Sequence, residues 1–231
     1  MMKFPPSLPR TPKKNTWKRN KLSQTPSQAA LPPGKYAETA PGVAELLRVR
    51  WSPRSFSGEP VPAGILEAIL DAGRWAASSY NEQPWRFIVA TKEDTEAFQA
   101  LLGLLMPFNQ AWAKNASALI LTATRSNFSH NEAPNRHALH DAGAALAYMM
   151  LQATESGLQS HAMAGFDHEK AREVLGIPPE FQVGAILAIG YPDSAEKLLN
   201  DQMKQQELAA RKRKPLSELA FKGRWGQPLL K

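Results

Sequence analysis

Apolar positions along this chain follow two rhythms, and their order predicts the elements. "VPAGILEAILDAGRWAA" sets Ile65, Leu66, Ile69, Leu70 and Gly73 at helical spacing, with Pro62 suited to its first turn. "GVAELLRVR" before it reads as a short helix. "RFIVAT" has the pattern of a buried strand, "EDTEAFQALLGLL" that of an amphipathic helix, and "SALILTATR" that of a second strand. "NRHALHDAGAALAYMMLQATESGL" is a long helix, apolar nearly all round, of the kind found centrally or at a subunit interface. Gly157 suits its C-terminal stop. "QSHAMAGF" then reads as extended, "DHEKAREVLG" as a helix with Asp167 as N-cap, and "GAILAIGYP" as a third strand. A charged helix over 195–210 leads into a surface arm, "RKRKPLSELAFKGRWGQPLLK". There is no internal repeat. This mixed order predicts an α+β fold with helices flanking one sheet.

Before Pro41 the periodicity fails. Residues 1–40, rich in Pro, Ser, Thr, Lys and Gln, read as a disordered basic tail, and 41–231 as one domain that includes the arm at 211–231. A chain of 231 residues is long enough for one sizeable core. The tail fits a dispensable extension or an over-extended start. It also shares the basic, acid-poor character of an organelle transit peptide, although its prolines spoil an amphipathic helix and Arg is scarcer than Lys. It lacks the apolar stretch of a secretory signal. The expected location is the cytoplasm, with organelle targeting by residues 1–37 as the alternative.

The net charge of +7 suggests a nucleic-acid partner until its distribution is read. Lys3, Arg10, Lys13, Lys14, Lys18, Arg19, Lys21 and Lys35 fall within residues 1–37, which contain no Asp or Glu, so the body is close to neutral. A basic patch on a folded face is the stronger sign of nucleic-acid binding. Neither a nucleic-acid nor a membrane partner is expected, since no apolar run approaches the roughly 18 residues needed to span a bilayer. The absence of cysteine excludes disulfides, thiolate metal sites, iron–sulfur clusters and cysteine nucleophiles.

The sequence lacks G-x-G-x-x-G, the P-loop pattern, G-x-S-x-G and H-E-x-x-H. His137, His140 and Asp141 have a spacing that can hold a metal, but with no ligand pair elsewhere they read as a polar helix face, and no metal is assigned. Positive evidence comes from four stretches. In "RVRWSPRSF", Arg50, Ser52 and Arg54 alternate, so in an extended segment they point the same way, two guanidinium groups and a hydroxyl suited to a phosphate; a solvated basic loop is the plain alternative. "RKRK" at 211–214 is by itself a solvated charge run. "MAGFD" at 163–167 has Gly165 where a backbone N–H can approach a ligand, though an ordinary strand-to-helix turn reads the same. "SSYNEQPWRFIVA" at 78–90 clusters uncharged hydrogen-bonding side chains at a helix-to-strand corner, either to meet a polar ligand or to cap the helix before it.

In these segments the chain resembles the FMN-dependent nitroreductase family, from about Val43 to Trp225. The resemblance rests on "RWSPRSFSGEPV", "AASSYNEQPWRFIV", "MAGFDHEKAREVLGIP" with "AILAIGYP", and "RKPLSELAFKGRWG", in that order. It implies an α+β sandwich with a mainly antiparallel sheet, an intertwined homodimer, and FMN at the subunit interface. It further implies phosphate binding by Arg50 and Ser52, with Trp51 between them in the cofactor segment, and places Arg54 near the flavin pyrimidine edge. Ser78, Asn81 and Gln83 would meet the polar edges of the ring system, with Pro84 and Trp85 setting the turn. Ala164 and Gly165 would bring a backbone N–H to flavin N5. Arg213 and Lys214, with Lys212 possible in another register, would close over the phosphate. The chain departs from the pattern at Ala77, where many members have Pro, and at Ala164, where well-studied bacterial members often have Glu.

The resemblance implies NAD(P)H as electron donor, ping-pong turnover, and nitroaromatics, quinones or related small molecules as acceptors. No catalytic acid or base is assigned, since water can supply protons. The alternative is a protein that stores FMN without efficient turnover.

Overall fold

In the computed structural model residues 31–230 are described, and the tail reading for 1–30 lies outside them. Four strands form one antiparallel sheet in the order β1-β2-β4-β3: β1 Trp85–Thr91, β2 Ala118–Arg125, β3 Gln159–Met163 and β4 Phe181–Gly190. The central strands β2 and β4 read as unbroken apolar runs because helices cover both of their faces. Leu119, Leu121, Ile186 and Ala188 pack with Leu101 of α3 (Thr95–Leu102) and Trp112 of α4 (Pro107–Ala113). Ile120, Leu187 and Ile189 pack on the opposite side with Ile69 of α2 (Ala63–Arg74) and Met149 and Ala153 of α5 (Ala138–Glu155). The result is the predicted α+β arrangement, a sheet between two helical layers. α2 meets α5 closely at Gly73, where an added Cβ would lie 2.6 Å from Met149 Cγ.

Local signals are used as the sequence suggests. Asp167 caps α6 (His168–Val174) by accepting from Lys170 N, Gly157 takes φ 80° after α5, and α1 spans Glu45–Val49. Five features differ from expectation. "RFIVAT" lies in an edge strand, so Phe87, Ile88 and Val89 are only half-buried, and a groove of 690 Å³ opens between β1 and α2. α4 is too short for its periodicity to register. The helix expected over 195–210 breaks into a 3-10 turn, Ala195–Lys197, and α7, Asp201–Leu208, because Asn200 accepts from Met203 N as a new N-cap. Pro62 stands at the N-cap of α2 rather than inside its first turn. The folded body also begins before Pro41: Ala37 N donates to Arg48 O, and Arg211 N to Gly34 O. The arm after α7 stays at the surface, with Leu216, Leu219 and Trp225 exposed. Among the described residues no helix is long and apolar enough to cross a membrane.

Candidate functional site

After α1 ends at Val49, the stretch 50–55 runs without helix or strand beside the outer edge of β3, and side chains from distant parts of the sequence hold its backbone. Gln159, fully buried, accepts from Trp51 N at 3.1 Å and donates to Val49 O at 3.2 Å. The buried Glu207 carboxylate accepts from Arg54 N at 2.9 Å and from Ser55 N at 3.1 Å. His161 Nδ1 lies 2.9 Å from Pro53 O, the geometry of a donor to that carbonyl. With the backbone thus occupied, the side chains alternate: Trp51, Pro53 and Ser55 are buried, while Arg50, Ser52 and Arg54 remain half-open on the other side. The Trp51 ring is 3 % exposed beneath the Lys35 ammonium, which sits 4.9 Å from its centroid, so this tryptophan serves the core side of the segment.

Arg50 Nη1 reaches Ser52 Oγ at 3.3 Å. Burial pushes the Arg50 guanidinium below its ordinary pKa, and the positive charges of Arg211 and Arg213 push it further. Arg211 is itself lowered by burial and by Arg213, and it is anchored by donating to Lys35 O at 3.0 Å and Arg48 O at 2.8 Å. None of the ion pairs among the described residues engages Arg50, Arg211 or Arg213. Three guanidinium groups that repel one another and form no ion pair among the described residues are suited to an anion, and Glu38 lines the same pocket as Arg211 and Arg213. Along the extended arm, Arg211 and Arg213 act on Arg50, whereas Lys214 turns to Glu218 at 3.9 Å. Arg211, which the sequence reading left in the charge run, stands with Arg213 near Arg50, and Lys212 and Lys214 line the same pocket as these two arginines. The only available signal was the same alternation that marked Arg50 and Ser52.

Arg54 and Gly165 meet at α4. The Arg54 guanidinium lies 5.8 Å from the Phe108 centroid, and its buried Nε has no protein partner. Gly165 O accepts from Met106 N at 2.9 Å and Asn109 Nδ2 at 3.1 Å. A Cβ at Gly165 would lie 3.0 Å from Asn109 Nδ2, a tight contact that the end of that side chain would have to yield to. Ala164 is exposed, and the Gly165 N–H donates to no backbone carbonyl or side chain among the described residues. His161 lies under this segment, its ring 4.8 Å from that of Trp112. Burial lowers it to about 4, against the hydrogen bond to Pro53 O, and Arg54 and Arg50 add to the lowering.

The polar turn is elsewhere. Trp85 pairs with Thr124, Thr124 with Gln182, and Gln159 with Gly190. The turn before Trp85 and the segment held by Gln159 therefore stand at diagonally opposite corners of the sheet, about 25 Å apart along the strands and ~14 Å across them. At that far corner Ser79 N donates to Asp141 Oδ2, Gln83 N to Ser78 Oγ, and Gln83 Nε2 to Asn81 O. Asp141, also 3.2 Å from His140 Nδ1, thus orients the turn. Tyr80, Asn81 and Gln83 have φ of 54°, 54° and 52°, left-handed values in residues other than glycine, with Glu82 between them right-handed at φ −63°. Asn81 is exposed, and Trp85 is buried as expected. One chain thus brings together Arg50, Ser52, Arg54, Ala164, Gly165 and Arg213, and keeps Ser78, Asn81 and Gln83 apart from them.

Among known proteins, the sequence model of the nitroreductase family matches residues 47–191. An oxidoreductase containing FMN, known from its crystal structure, is 39 % identical with a TM-score of 0.78, over 84 % of this chain and 98 % of that one. A Desulfovibrio desulfuricans protein solved in complex with FMN is 25 % identical with a TM-score of 0.62, over 81 % and 99 % of the two chains. A protein of Thermus thermophilus described as an NADH dehydrogenase is 31 % identical over 174 residues, 62 % of this chain and 83 % of that protein.

Proposed function

The chain belongs to the nitroreductase family, and from that premise we propose that it is an FMN-dependent oxidoreductase that uses NAD(P)H to reduce nitroaromatic, quinone or related small acceptors. The observation that carries this reading is the anion site formed by Arg50, Ser52, Arg211 and Arg213 beside the unpartnered Arg54 Nε and Gly165 N–H. These groups fit the phosphate and the ring acceptors of FMN. When bound, FMN would supply two-electron redox chemistry between NAD(P)H and an acceptor, for which turnover would be ping-pong.

The protein's part is to bind and to tune. Arg50, Arg211 and Arg213 neutralise the phosphate, and the Ser52 hydroxyl orients it. Arg54 would supply a positive charge to stabilise the reduced ring's negative charge. The Gly165 N–H, which has no acceptor among the described residues, would be free to donate to the ring. His161, neutral above about pH 4, adds no further charge to the crowded cations.

The reading includes a homodimer in which each site takes Ser78, Asn81 and Gln83 from the second copy. Three features support it: the two corners lie too far apart for one ligand, the arm exposes Leu216, Leu219 and Trp225, and α5 exposes Leu139 and Tyr148. The test is the visible spectrum of purified protein before and after NADPH under argon. A flavin spectrum that bleaches is the expected result. A bound flavin that stays oxidised with both NADPH and NADH would favour storage, and no flavin uptake even with added FMN would overturn the reading.

A further inference from the structure

The segment ahead of α1 is built into the other end of the chain. Pro32, Pro33, Gly34 and Lys35 form a tight turn in which Lys35 N donates to Pro32 O and Gly34 takes φ 75°, the turn type that favours proline second and glycine third. Gly34 O accepts from Arg211 N at 3.0 Å. A Cβ at Gly34 would lie 3.0 Å from both Cα and Cβ of Ala210, so the turn lies flat against the backbone just after α7. Arg211 Nη1 then reaches back to Lys35 O, and Ala37 N shares with it the carbonyl of Arg48. The head of the arm is thus fastened by main-chain and side-chain bonds to a turn near the start of the chain.

Lys35 stands at the centre of this joint and is only 5 % exposed. Its ammonium donates to Ala209 O at 2.6 Å, at the C-cap of α7, where a cation meets the negative end of the helix. The same ammonium lies over the Trp51 ring and faces the Glu207 carboxylate. Burial lowers the Lys35 pKa, Glu207 opposes that, and Arg211 and Arg54 act with burial. A buried charge is tolerable only when it is paired, and here each partner belongs to a different piece of the site. Trp51 lies between Arg50 and Ser52, Glu207 holds Arg54 N, and Ala209 leads into Arg211 and Arg213. The Arg50, Arg211 and Arg213 guanidinium groups repel one another, so their gathering before any anion arrives has to be enforced by the chain.

We infer that Lys35, on the turn 32–35, is a positioning residue of the anion site: it fixes Arg211 and Arg213 against Arg50 before a phosphate binds. Its ammonium is engaged by the protein and does not itself serve as a phosphate ligand. The inference goes beyond the proposed function and rests on it for the identity of the anion, the phosphate of FMN. It gives the turn, which stands ahead of the span 47–191 shared with the family, a part in telling FMN from flavins that lack a phosphate.

Riboflavin separates this role from general support of the fold, because it carries the ring of FMN without the phosphate. The full chain, freed of flavin, is titrated with FMN and with riboflavin, and urea unfolding checks that each variant is folded. Lys35→Met keeps most of the side chain and removes the charge. Gly34→Ala leaves every charge in place and pushes the turn off Ala210. In both, the Kd of FMN should weaken about fivefold to hundredfold, as expected when two long side chains are ordered on binding rather than beforehand, while the Kd of riboflavin holds. An unchanged ratio of the two Kd values in either folded variant overturns the inference. With both values unmoved the turn holds nothing of the site, and with both raised equally it supports the fold at large. If Lys35→Met does not fold, Gly34→Ala decides by the same ratio. A wild-type chain that binds FMN no better than riboflavin overturns the anion site, and one that binds neither overturns the proposed function; the inference falls with either.

Discussion

Two polar stretches look alike in the sequence and are built in opposite ways. The stretch 50–55 has backbone in an ordinary conformation, and its precision comes from outside, from Gln159, His161 and Glu207 more than a hundred residues away. The turn 78–83 is left-handed at three residues, and it is held both from within, with Ser78 and Asn81 bonding Gln83, and from α5, with Asp141 accepting from Ser79 N. The first presents charge on a relaxed frame, and the second presents amide and aromatic groups on a strained one. They also sit at opposite corners of one sheet. The contrast teaches that residues gathered into one candidate site by sequence can lie at opposite corners of a chain, because a local pattern carries no information about how far apart its segments fold.

The comparison breaks first at Glu207. This carboxylate is 3 % exposed, holds the N–H groups of Arg54 and Ser55, and faces the Lys35 cation. Removing one member of such a buried set leaves the others unpaired, so Glu207→Ala should cost about 3–5 kcal/mol in urea unfolding. Glu207→Gln, which keeps an acceptor, should recover part of the loss. A cost near zero would mean that the segment holds its own shape.

The next effect is a pH dependence. His161 titrates at about 4 in the folded chain against 6.5 for an unhindered imidazole. Between these values the unfolded state binds the proton and the folded state does not, so stability falls as pH drops from 6.5 towards 4 and is unaffected above 6.5. The full difference is about 3 kcal/mol. Unfolding at pH 7.5, 6 and 5 should show this slope, and His161→Gln should flatten it. An equal slope in that variant would assign the titration to another group.

Much of the fold was legible because its signals are local. The central strands, the long helix, the cap at Asp167 and the stop at Gly157 each lie within one window of sequence. The alternation of Arg50, Ser52 and Arg54 was legible for the same reason, since extended backbone has period two. What stayed hidden is of two kinds. Lys35, Gln159, His161 and Glu207 act across the fold, and a polar residue in an apolar neighbourhood does not announce its partner. The positive φ of Tyr80 and Gln83 left no mark in the sequence, since only Asn81 is a residue type that prefers such backbone.

The separation of the corners is sharpened by Arg50→Ala. Loss of a charge-assisted hydrogen bond of about 1.5–3 kcal/mol should weaken FMN retention roughly tenfold to hundredfold after dialysis. Asn81→Gly, which keeps the left-handed backbone, should weaken it less. The two variants should complement each other: in a mixed dimer one site carries both defects and the other carries neither. Co-refolded variants should then retain flavin better than either variant alone. Absence of complementation would put both residues in a site made by one chain, against the geometry of the sheet.

The smallest effect tests the strain itself. Gln83 at φ 52° occupies a conformation that costs an L-residue about 1–2 kcal/mol, while glycine adopts it freely and loses about 0.5–1 kcal/mol through its more flexible unfolded state. Gln83→Gly should therefore raise stability by about 0.5–1 kcal/mol in urea unfolding. The backbone bond from residue 83 to Ser78 Oγ survives the change, and the side-chain bond to Asn81 O does not. A turn shaped for the ligand predicts that the more stable variant retains FMN less well than the wild type. A variant both more stable and equally retentive would leave the Gln83 amide without a part in binding, and the strain at that residue without a functional return. No comparable gain is available at 50–55, where the backbone is already relaxed.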